Sequence, residues 1–174
     1  MRECYEFAYR LKLEKRDRDP WFPLSNCVAA EIVRGWQPAL QVAAGSTVAD
    51  VMIEDPLAKV IAQDLQGHLE TLIELTREAQ RGETDFYGLV APVDASLLSS
   101  LHRQTFNAQT RAGIEGDYRQ ARRRGASAKQ LDSVASQIEF LQVMAEKAVG
   151  MVPGDLAAEL LELVTVLRAA RRTV

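Results

Sequence analysis

Residues 127–148, SAKQLDSVASQIEFLQVMAEKA, decide the fold. Leu131, Val134, Ile138, Leu141, Ala145 and Ala148 recur there at steps of three and four. At about 3.6 residues per turn this spacing draws one apolar stripe along a helix, a seam for packing against another helix. Ser127 stands before the stripe as a cap, and Gly125 closes the helix that precedes it. On the C-terminal side, Pro153-Gly154-Asp155 resets the chain for a last helix with Leu156, Leu160, Leu163, Val164 and Leu167 turned inward. Short connections between long helices make the helices antiparallel neighbours.

Toward the N-terminus the same periodicity recurs. Asp94 reads as the cap of a helix whose stripe is Leu98, Leu101, Thr105, Ala108 and Ala112. Past Gly113 the stripe jumps by roughly 150° to Ile114, Tyr118 and Ala121. Gly113 and Gly116 flank the jump, each costing about 1 kcal/mol in a helix interior, so a kink or break is predicted between Ala112 and Asp117. Asp55-Pro56 opens another helix, running to about Arg81, with Leu57, Val60, Ile61, Leu65, Leu69, Leu72 and Ile73 on its apolar face. Ser25 or Asn26 can cap a helix to about Trp36, which Gln37-Pro38 would stop. Residues 39–53 fit a loop, a short helix or a short strand.

The first residues follow a different period. Tyr5, Phe7, Tyr9, Leu11 and Leu13 alternate with Glu6, Ala8, Arg10, Lys12 and Glu14, the pattern of a half-buried strand over about residues 4–14. Lys15 to Asp19 make a charged turn, and Pro20-Trp21-Phe22-Pro23 a second turn that tucks two rings onto the core. A lone strand leaves its backbone donors and acceptors unmet. Its mate is predicted to be Asp85 to Ala91, read as a second strand, or the same strand of another copy. The expected fold is therefore mainly α: an antiparallel bundle of about five helices with a small N-terminal β element. It forms one domain over 1–174, with residues 1–20 packed on or extending from a bundle over 25–172.

Composition narrows the chemistry. A chain of 174 residues with 47% hydrophobic and 26% charged content can bury a core without disulfides or metal. A net charge of −3 argues against a surface devoted throughout to nucleic acid. Cys4 and Cys27 form no CxxC or CxxH pair and read as reduced thiols. The start carries no apolar signal core, and no uncharged run approaches the roughly 20 apolar residues that cross a bilayer, so the expectation is cytoplasmic, without membrane partners. Arginine outnumbers lysine by 16 to 5 and alanine is plentiful, in keeping with a GC-rich bacterial coding bias.

Catalytic signatures are absent: no Gly-x-Ser-x-Gly, Walker loop, dinucleotide fingerprint or His-Glu-x-x-His occurs. Asp64 and His68 sit one turn apart and read as a surface ion pair, with no second pair to complete a metal site. No catalytic residue, metal ligand or cofactor is assigned. The marked electrostatic feature is the segment 103–129, where Arg103, Arg111, Arg119, Arg122, Arg123, Arg124 and Lys129 face two acids for a net of +5. Such a segment can neutralise phosphates or dock an acidic protein. It can equally be a solvated helix end, with Arg119 paired to Glu115 and Arg122 to Arg124 complementing the helix dipole. Gly113-Ile114-Glu115-Gly116 imitates a backbone-clamping GxxG loop but lacks the flanking strands. Tyr5, Phe7, Tyr9, Trp21 and Phe22 concentrate five aromatics near the start; they roof the core or, if exposed, dock a partner. The leading expectation is a non-catalytic protein-interaction module such as an adaptor, regulator, inhibitor or small subunit. Its partner is another protein or a second copy. A nucleic-acid-binding accessory protein using 103–129 comes second, and an enzyme without a recognisable motif third.

Overall fold

The computed structural model describes residues 21–43, 56–81, 86–125 and 127–169. Six helices make up these residues: α1 (Trp21–Ala43), α2 (Pro56–Arg81), α3 (Phe86–His102), α4 (Ala108–Arg123), α5 (Ala128–Lys147) and α6 (Leu156–Ala169). Among the described residues there is no strand. The expected strand at 4–14 and its charged turn lie outside them.

The seam at residues 131–148 forms as its spacing predicts. All six of its members are buried, as are the five inward residues of α6. Taking each such leucine or isoleucine out of water is worth about 1.5–3 kcal/mol, so the α5–α6 pair holds a large share of the core. Ser127 caps α5 in a reciprocal capping box with Gln130. Gly125 takes the left-handed φ of 117° that lets the chain turn from α4 into α5. Arg168 grips Glu139 with two hydrogen bonds across the hairpin.

Helix α1 packs against α2, α3 and α5, while α3 packs against α1, α2 and α4. Helix α3 is the interior rod. Eleven of its seventeen residues are buried, spread around the whole circumference, as expected of a helix enclosed on all sides. The expected strand at Asp85 to Ala91 is overturned here, because α3 begins at Phe86 and runs through Pro92. Six consecutive residues with no polar face suit a buried strand and a buried helix equally, so periodicity could not separate them. Asp94 is correspondingly inside a helix, not its cap. An internal proline costs about 3 kcal/mol, which the burial of α3 has to offset.

Three further boundaries differ. The predicted turn at 20–23 is instead the start of α1 at Trp21. Pro23 fits there because first-turn N–H groups have no acceptor in the helix anyway. Asn26, expected as a cap, lies within α1 and donates its Nδ2 to the Phe22 carbonyl at 3.3 Å. Nor does α1 stop at Gln37-Pro38; it continues to Ala43. The break sought between Ala112 and Asp117 falls at 103–107. There Gln104 adopts φ 54° and the Asn107 side chain accepts from the N–H groups of Gln109 and Thr110. Helix α4 then runs unbroken past Gly113 and Gly116, which face open space. The jump in the stripe is not borne out: Thr105, Ala108 and Ala112 are exposed, and the buried face of α4 is Ile114, Tyr118 and Ala121 alone. The break at 103–107 accounts for six helices where about five were expected.

Candidate functional site

Asp94 is carried by the interior helix α3 and is half-buried. Its neighbour from α4 is the fully buried Tyr118, whose hydroxyl donates to Asp94 Oδ1 at 2.5 Å. Loss of hydration pushes the Asp94 carboxyl from its ordinary 3.8 up to about 7, against the opposing pull of the tyrosine hydrogen bond. Burial, and then the adjacent carboxylate, drive the Tyr118 phenol well above 10. Tyr118 therefore stays a hydrogen-bond donor at physiological pH, and Asp94 exchanges its proton there.

Away from Tyr118, Asp94 borders a cleft of about 720 Å³ between α1, α3 and α5. Phe22, Ala29 and Ala30 line it from α1, Leu97 and Leu98 from α3, and Ile138, Phe140 and Leu141 from α5. Ser25, Asn26, Ser133, Ser136 and Gln137 add neutral polar groups. Phe22 and Phe140 remain 44% and 49% exposed, which is costly for phenyl rings. Among the described lining residues Asp94 is the one ionisable group. The volume falls within the roughly 300–1,000 Å³ of ordinary binding clefts, and the design is theirs too: apolar walls with one charged group that fixes orientation.

A second constellation lies on the opposite face of α1. Cys27 and Glu31, one turn apart, point toward His68 of α2, and one donor atom from each lies within 4.8 Å of the others. His68 Nδ1 stands 3.4 Å from Glu31 Oε2. Cys27 and Glu31 are 1% and 3% exposed, and the His68 side chain 17%. The expected partner Asp64 has its side chain outside the described residues, and His68 makes this part-buried contact to another helix.

The basic residues of segment 103–129 stand in several different surroundings. Arg111 is bound to Glu159 of α6 at 2.6 Å and approaches Glu115, while Arg119 pairs with Glu115 at 2.5 Å, as its spacing predicts. Arg123, Arg124 and Lys129 are exposed near the α4–α5 turn, and Arg122 is half-buried. Arg103 lies apart from them, sharing a recess of about 330 Å³ with Arg77, Thr76, Ser99 and Ser100. Of the docking aromatics, Trp21 is buried in the core and Phe22 is exposed on the cleft. Tyr5, Phe7 and Tyr9 lie outside the described residues.

Sequence reading missed both acid sites. Asp94 resembled a cap because it precedes an apolar stripe. The legible signal at the second site was Cys27 and Glu31 at i and i+4, while the third member waits 37 positions beyond Glu31. No helix among the described residues is long and apolar enough to cross a membrane. Compared with known proteins, the chain matches no family model, no curated protein and no solved structure.

Proposed function

We propose that this chain is a non-catalytic protein-interaction module, working in a bacterial cytoplasm, whose docking site is the cleft beside Asp94. The observation that carries the reading is the pairing of two exposed phenyl rings with a single carboxyl on apolar walls. Its occupant is a partner segment with large apolar side chains and one basic residue. The apolar groups cover Phe22 and Phe140, and the ammonium or guanidinium meets Asp94. A cation at that position favours the ionised carboxyl that desolvation disfavours, so binding and deprotonation of Asp94 reinforce each other.

Selection from a displayed library of random peptides tests this. Enrichment of sequences with apolar residues at helical spacing around a lysine or arginine is expected. Phe140→Asp should abolish their binding, and Asp94→Asn should erase the preference for a basic residue while apolar contacts persist. No enrichment, or enriched peptides that bind Phe140→Asp equally, would sink the reading. So would self-association abolished by Phe140→Asp, which makes a second copy the occupant.

An acid–base enzyme is the alternative that Asp94 itself favours, since a carboxyl titrating at about 7 can both take and give a proton near neutrality. Turnover of a small substrate lost in Asp94→Asn would support it. The nucleic-acid reading loses ground because Arg111 is engaged with Glu159 and Arg119 with Glu115. Salt-sensitive binding abolished by joint alanine replacement of Arg122, Arg123 and Arg124 would restore it.

A further inference from the structure

We propose that Cys27, Glu31 and His68 form a binding site for a divalent transition-metal ion of the zinc class, bridging α1 and α2. Thiolate, carboxylate and imidazole are the three donor types that zinc takes from proteins, and they arrive here from two packed helices. Their geometry suits one ion. Two donors each about 2.0–2.2 Å from a tetrahedral centre sit roughly 3.4 Å apart. The His68 Nδ1 to Glu31 Oε2 distance is 3.4 Å, long for a hydrogen bond but the edge length of such a tetrahedron. All three donor atoms lie within 4.8 Å of one another, so small side-chain shifts would bring them onto one ion.

Burial adds a second argument. Glu31 is 3% exposed, and an acid so placed has to be compensated by positive charge. A metal ion held by Glu31 together with Cys27 and His68 would contribute such charge directly. The ion would also draw the proton off Cys27, since the metal ligand is the thiolate. His68, at 17% exposure, gives the ion a route from solvent. Three protein donors leave the fourth position of a tetrahedral ion to water or a further donor.

Cobalt(II) titration of the full chain, stripped with chelator and kept reduced, tests the site. One cobalt per chain is expected, with thiolate charge-transfer absorption in the near ultraviolet and tetrahedral bands in the visible. Zinc should displace the cobalt and raise the melting temperature. Cys27→Ser should remove the charge-transfer absorption. His68→Gln, a change at a half-buried position that leaves the fold intact by circular dichroism, should weaken binding by more than the roughly 10–100-fold that losing a mere supporting contact costs. Cys4→Ser and His102→Gln should change neither. Absence of saturable binding, affinity unaltered in His68→Gln, or a thiolate band that survives Cys27→Ser and vanishes in Cys4→Ser would each overturn the proposal.

Discussion

Helix α1 separates two acids that have left bulk water on different terms. Asp94, on the cleft side, has a neutral phenol as partner and answers desolvation by holding its proton up to about 7. Glu31, on the other side, faces an imidazole and a thiol, groups that can gather charge or a metal around it. A carboxyl beside a donor that cannot become positive stays poised to meet an incoming cation. A carboxyl beside ligands keeps its compensation within the fold. The first arrangement suits transient docking, the second a resident ion.

The largest effect that sharpens this contrast is expected from Asp94→Asn. The unfolded carboxyl loses its proton near 3.8, whereas the folded one keeps it to about 7. Between those values the folded state binds more protons, so stability falls as pH rises through the window and the full cost is present above 7. Asparagine can still accept from Tyr118 and never ionises. At pH 8 it should therefore be more stable than the parent by up to about 4 kcal/mol, an upper figure because the residue keeps some contact with cleft water. Below pH 4 the advantage should vanish, as urea denaturation at the two pH values can show. A gain independent of pH would mean that the carboxyl is not desolvated.

Tyr118→Phe comes next. It removes the contact that holds the Asp94 titration down, so that titration should move above 7 in a carboxyl-resolved NMR experiment. Stability at pH 8 should drop by about 1.5–3 kcal/mol, the range for a hydrogen bond to an ionised group. The smallest change should come from His68→Gln without metal, about 1 kcal/mol, because the contact is long at 3.4 Å and glutamine can still donate to Glu31. With zinc present, the gap in melting temperature between parent and variant should widen. An equal gap with and without zinc would erase the distinction between the two acid sites.

How much of this was legible depends on where each residue's neighbours lie in the chain. Leu131 to Ala148 and Leu156 to Leu167 announced themselves because burial on one face imposes a period, and Ser127 fixed its helix start by local chemistry. Helix α3 resisted because burial on every side erases the period, leaving Phe86 to Ala91 to imitate a strand and Asp94 to imitate a cap. The break at 103–107 was masked by the two glycines nearby. They cost helix stability in principle, but here they face solvent, while Asn107 supplied the cap that set the boundary. Cys27, Glu31 and His68 meet through tertiary packing, which a single sequence does not display.

The burial of Cys27 also makes it a timer. A thiol sealed between two helices reacts with an alkylating reagent when those helices part, so in a Cys4→Ser background the labelling rate measures how often α1 lifts from α2. Slower labelling with zinc than without would express the ion's hold as a frequency of opening, and unchanged labelling with a peptide in the Asp94 cleft would show that the two faces of α1 move independently.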